Sequence, residues 1–229
     1  MAKLMGVVSV QVNISNGGEV RQIANFAWQH LKAAKTFCDQ SFAIEESALG
    51  REFGDFFVDI RSYVSATVLS AAAALEALIN EFFIAPNCAL RPKIDDFEVS
   101  FWGEKGVERK PILEKYKLAL SMLGVQPMDP NAQYYKDAWA LIELRNSLIH
   151  YKPTWDPDRQ KKIDLVRVLS GRYKLSPFLD SRADFLTMQS MSSGCAVWAV
   201  NSVFEFIRVF DAKAHLDQEK MAGIWRLKT

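Results

Sequence analysis

Arg145 and His150, which bracket the run Arg145-Asn146-Ser147-Leu148-Ile149-His150, are the side chains in this chain best suited to chemistry on a phosphodiester. A guanidinium fork matches phosphate oxygens and can hold negative charge as it develops on phosphorus. Histidine, with an ordinary pKa of about 6.5, takes or gives a proton near neutrality. Together the two groups supply what phosphodiester cleavage needs without a metal. Asn146, next to the arginine, adds an amide that can position either group.

The element that must carry them is a helix over 131–151, stopped by Pro153, which disfavours helix at Lys152. Wound at about 100° per residue, it puts Ala138, Leu141, Ile142, Leu144, Leu148 and Ile149 on one broad apolar arc. Arg145 falls inside that arc, between Leu141 and Leu148. A guanidinium cannot shed its proton, so burying it costs several kcal/mol unless an acceptor meets it. His150 lies about 140° away, grouped with Asn146, Glu143 and Trp139. It sits in the last turn, where the helix dipole favours a cation by roughly 0.3–1 kcal/mol. Two readings stay open on the residues alone. In one, the pair is catalytic; in the other, Arg145 is a buried ion-pair member and His150 merely neutralises a helix end.

The acid expected to meet Arg145 is Glu76, set in the alanine-rich run Ser70-Ala71-Ala72-Ala73-Ala74-Leu75-Glu76-Ala77-Leu78 with Ala72, Ala73, Ile79 and Phe83 as helical neighbours. A poorly solvated carboxylate needs a cation. Glu76 is therefore read as supporting Arg145 rather than reacting. Asn80, one turn on, is read as satisfying polar groups of the bundle. Trp139, Tyr134 and Tyr135 could stack on bases, but an aromatic stripe at helical spacing reads first as core.

Arg145-Asn-Ser-Leu-Ile-His150, with Tyr151-Lys152-Pro153 following, resembles the R-x4-6-H signature of HEPN domains, including the polar residue after the arginine. The run Leu75 to Phe83 resembles the partner helix of such bundles. The resemblance covers roughly residues 55–150. It implies a helical domain that dimerises with two motif helices facing across a cleft, and metal-independent endoribonuclease activity in toxin–antitoxin, phage-defence or RNA-processing systems. On that resemblance His150 is the acid/base, Arg145 holds the scissile phosphate and Asn146 positions either group or the RNA. Tyr151 and Lys152 are the residues expected to bind substrate. The expected partners are RNA, a second copy of the chain, and an antitoxin or defence-system protein. Two rivals remain: a non-catalytic dimeric RNA-binding or scaffold module of the same fold, and an antitoxin-like or small-ligand-binding bundle without RNA.

The fold class expected is all-α, an up-and-down helical bundle of four to five main helices with a small two-stranded β appendage. Residues 1–229 read as one domain, with 19–151 as the core bundle and 152–229 as a basic segment and C-terminal helix packed on it. Helices are expected over 19–46, 53–84, from about Pro111 to Leu123, over 131–151 and roughly over 192–215, with a basic surface helix or ordered loop at 157–170. The appendage would pair the alternating run 7–14 with a second short strand around Phe97, Val99 and Phe101.

The 49% hydrophobic and 12% aromatic content excludes a disordered chain. Net charge is +1, unevenly spread. Residues 39–60 hold six acids against Arg51, whereas residues 145–182 hold nine bases against four acids. The latter would attract phosphate, or form ordinary solvated loop charge. Cys38, Cys88 and Cys195 read as buried free thiols of a reducing compartment. His30 and His215 lack metal-ligand spacing, and no phosphate loop or nucleophile elbow occurs. No metal or cofactor is expected. Glu76 interrupts the best candidate for a membrane span, so the chain is expected to be cytoplasmic and off the membrane.

Overall fold

A computed structural model of the chain describes the backbone of residues 10–14 and 20–24, and residues 26–84, 103, 106–152, 163–216 and 221 in full. The fold is all-helical in its body. Among the described residues six α-helices run in the order α1 (Ala27–Ala48), α2 (Phe56–Ile84), α3 (Ile112–Leu123), α4 (Gln133–Ile149), α5 (Ile163–Leu169) and α6 (Ser193–Ala214). Short 3-10 and π turns at Val107–Arg109 and Phe185–Gln189 connect them.

The long apolar run makes α2 the central helix. Ile60, Val64, Val68, Ala71, Ala72, Leu75, Ile79 and Phe83 are fully buried. Its small middle residues let neighbours approach closely, and α1, α3, α4 and α6 all pack against it. The connector between α1 and α2 is short, which makes these two an antiparallel pair with the most extensive packing in the fold. With Glu76 in it, α2 still has the length and hydropathy of a membrane-crossing helix, and half of that apolar window is buried inside the bundle.

Two acids tie helix ends together. Glu81, near the end of α2, accepts hydrogen bonds from the backbone N–H groups of Phe26 (2.6 Å) and Ala27 (2.8 Å), satisfying the otherwise orphaned start of α1. Glu45, near the end of α1, accepts from the Ser193 N–H at 2.8 Å and from its hydroxyl at the start of α6. There Ser192 caps the helix by accepting from the Cys195 N–H at 3.2 Å while donating to the Lys174 carbonyl at 2.7 Å. Gly194 is required at this corner, because a Cβ there would stand 2.5 Å from the Lys174 carbonyl oxygen. Gly124 closes α3 in the left-handed region with φ 72°.

One expectation needs correction. The first helix begins at Ala27 rather than at residue 19, because Val20–Ala24 is a strand, β2, paired antiparallel with β1 (Val10–Ile14) in the register Val10↔Ala24 to Ile14↔Val20. The second strand expected around residues 97–101 lies outside those described. A hairpin closes a far shorter loop than a pairing across some eighty residues, which is its entropic advantage. α6 packs against α1, α2, α3 and α4, and Cys195, Ala199, Val203, Phe206 and Phe210 are buried in it.

Candidate functional site

Arg145 and Glu76 meet. The Arg145 Nη2 lies 3.2 Å from the Glu76 Oε2, across the α4–α2 contact. The buried stripe Ala138, Leu141 and Leu144 seats α4 on the bundle, and the same stripe turns Arg145 inward. The guanidinium is not sealed: its side chain is 22% exposed and that of Glu76 is 42% exposed. Arg145 therefore sits at the rim of the helix contact.

A third charge lies there that the sequence reading passed over. Lys115, on α3, is 1% exposed, and its Nζ stands 2.8 Å from the Asn80 Oδ1 and 4.0 Å from the Glu76 Oε1. Glu76 and Asn80 are one turn apart on α2, so the ammonium bridges both. Burial pushes the Lys115 pKa down from the ordinary lysine value, opposed by the negative charges of Glu76 and Glu108. The signal was available in the sequence. Lys115 stands three residues after Ile112 and four before Ala119 on an otherwise apolar face, the same pattern that singles out Arg145. Next to it, Tyr116 is fully buried and donates from its hydroxyl to the Leu75 carbonyl at 2.8 Å, locking α3 to α2 beside Glu76.

The other candidate residues do not join this cluster within one protomer. Among the described residues, the Asn146 side chain donates to the Glu143 carboxylate at 3.5 Å on the same helix. His150 caps the end of α4 with its backbone N–H bonded to the Asn146 carbonyl at 3.0 Å, and it is exposed. Tyr151 and Lys152 are exposed beyond it. Ile149, expected on the apolar arc, is 53% exposed, because the arc leaves the bundle where α4 ends. Guanidinium and imidazole thus face different surroundings, and the described contacts of Arg145 run to Glu76.

Tyr134, Tyr135 and Trp139 pack against the core, with the two tyrosine rings 6.4 and 6.1 Å from Phe206. Burial pushes the Tyr135 phenol up. Tyr135 also helps line a cavity of about 270 Å³ with Tyr116, Lys117, Pro127, Met128 and Pro130, a space that takes in none of the motif residues. Of the basic segment, Arg167, Arg172 and Arg182 face Asp164, Asp137 and Asp180 at 3.1, 3.7 and 2.6 Å, while Lys152 and Lys174 are exposed. Residues 153–162, with the other bases of that segment, lie outside those described. Among the described residues no cluster of three His, Cys, Asp or Glu side chains is placed to share a metal ion. Cys38 and Cys195 are buried free thiols, and Cys88 lies outside the described residues.

Compared with protein-family models, with curated proteins and with solved structures, this chain matches none.

Proposed function

We propose that the chain is a metal-independent endoribonuclease of the HEPN type, working in the cytoplasm as a pair of copies in bacterial defence or a toxin system. The observation that carries the reading is the placement of Arg145. Its guanidinium is held at a rim by Glu76, still partly open to solvent, on the helix whose exposed end carries His150. A phosphate arriving at that rim meets a cation already oriented, which lowers the entropic cost of gripping it. Because Arg145 and His150 face different ways on one helix, one protomer supplies the arginine and its partner the histidine. Exposed Ile149 and Tyr151 beside His150 give a second copy an apolar surface to approach. His150 then takes the proton of the ribose 2′-hydroxyl as that oxygen bonds to phosphorus and the bond to the leaving oxygen breaks, or gives a proton to that leaving oxygen, and Asn146 positions either group or the RNA.

The test is RNA cleavage in chelator by wild type, Arg145→Ala and His150→Ala. Each single variant is expected to lose about a hundredfold or more in rate, a general acid–base contribution being worth that much. A mixture of the two inactive variants should recover activity, because a mixed pair rebuilds one complete site. Folded variants that cut as fast as wild type end the catalytic reading.

One observation favours a second reading. The Arg145–Glu76 pair is complete within a single protomer, with His150 out in solvent, as a non-catalytic dimeric RNA-binding or scaffold module would have it. That protein binds RNA in a salt-sensitive way without cutting it. In it, Arg145→Ala lowers the melting temperature and nothing else.

A further inference from the structure

We propose that Lys115 is a positioning residue: anchored by Asn80, it fixes the Glu76 carboxylate and, through that carboxylate, the guanidinium of Arg145. This deepens the reading above and rests on Arg145 being the phosphate-holding group.

The argument begins with what a lone Arg145–Glu76 pair would do. Both side chains are partly exposed. Pairs of that kind contribute at most modest energy and leave the carboxylate free to change rotamer. A wandering carboxylate is a poor rest for a group that must meet a phosphate in one orientation. Lys115 alters this. Its side chain is almost fully enclosed, so the ammonium has one place to be, and the Asn80 Oδ1 at 2.8 Å fixes that place. From there it attracts the Glu76 Oε1 at 4.0 Å and leaves Oε2 for Arg145 at 3.2 Å. The two oxygens of one carboxylate are thus addressed from two helices, α3 and α4, while the carboxylate itself stands on a third.

The cost of the arrangement points the same way. Enclosing an ammonium is expensive, and a methionine of similar length would fill the site without that expense. Arg145 needs only one acid, which Glu76 provides alone. A second, enclosed cation on the same acid adds little attraction at the Arg145 end but removes rotational freedom from the acid.

The experiment is a double-mutant cycle between Lys115→Met and Glu76→Gln, read in RNA cleavage and in the side-chain nitrogen NMR signals of Arg145. In the wild-type background, Lys115→Met should lower kcat about tenfold while KM changes less than about threefold. In the Glu76→Gln background it should cost less than about twofold, because the route to Arg145 is already cut. The Arg145 guanidinium hydrogens should exchange faster in Lys115→Met, and Lys115→Arg should restore part of kcat. An equal loss in both backgrounds overturns the proposal, as does a fall in melting temperature with kcat and the Arg145 signals unchanged. Should Lys115→Met not fold, Asn80→Ala, which keeps every charge, must show the same non-additivity in milder form or the proposal fails. Should the wild type cut no RNA, the functional reading falls by itself. The same cycle read in the Arg145 signals then decides the positioning, non-additivity upholding it and additivity overturning it.

Discussion

A guanidinium keeps its charge at any pH a fold survives, so a counter-charge has to be supplied wherever Arg145 packs. Glu76 supplies it at 3.2 Å, and Lys115 draws on the same carboxylate from the other side. Two cations sharing one acid make Glu76 the most sensitive of the three. Glu76→Leu leaves an enclosed ammonium and a partly exposed guanidinium close together without the carboxylate they share. It is expected to cost about 2–4 kcal/mol, measured by urea unfolding, and more than Glu76→Gln. His150→Ala should change stability by less than about 0.5 kcal/mol, because that side chain is exposed at the helix end. A catalytic effect of His150→Ala is then separable from any loss of fold. The inward turn of Arg145 and its pairing with Glu76 were legible in the sequence from the apolar neighbours of each residue. Lys115 satisfied the same test on a shorter helix, but only tertiary packing shows that α3 brings it to Glu76.

At the scale of elements, α6 is fastened at its first turn more heavily than propensity requires. Glu45 of α1 accepts from Ser193, Ser192 caps Cys195, and the Lys174 backbone crosses against Gly194. Glu45→Ala strips the acceptor from a buried helix start and should cost about 1–3 kcal/mol, read from the shift in the denaturation midpoint. Gly194→Ala is expected to cost about 1–3 kcal/mol or more through overpacking against the Lys174 backbone. A Gly194→Ala variant as stable as wild type would show that this crossing yields easily. Glu45 also explains why the run of acids at 39–60 overstates its surface charge: one of the six is enclosed at a helix cap. The spans of α2, α3, α4 and α6 followed from periodicity, Pro and Gly signals to within a few residues. The start of α1 did not, since Val20 to Ala24 suits either period and strand pairing took it.

For the whole molecule, enclosure of Cys38, Cys195, Tyr116 and Tyr173 shapes the response to alkali. Burial pushes the Cys195 thiol up to about 12 against the Tyr173 hydroxyl, and the Cys38 thiol up to about 11 with Asp39 adding to the effect. Burial raises the Tyr116 and Tyr173 phenols too. These groups hold their protons in the fold at a pH where the unfolded chain releases them. The stability they contribute is fully present below the unfolded thiol value of about 8.5 and drains away as pH climbs toward the folded values. Lys115 acts in the opposite sense, its depressed pKa relieving the cost of enclosure as pH rises. With several groups against one, the melting temperature should fall between about pH 8 and about pH 11, and Cys195→Ala should flatten that fall. A melting temperature level across the range would mean that those groups open to solvent before the fold is lost.

The helical body, the central place of the alanine-rich helix and the need of Arg145 for an acid are all readable from the order of residues. Those follow from local rules, namely the period of apolar residues and the cost of enclosing a charge, which read the same in any arrangement of helices. Tertiary structure decided the rest. It made the last helix part of the core, let Glu45 and Glu81 cap distant helices, and set an enclosed lysine beside Glu76. Each depends on which helices become neighbours, and residues tens of positions apart carry no mark of that until the chain packs.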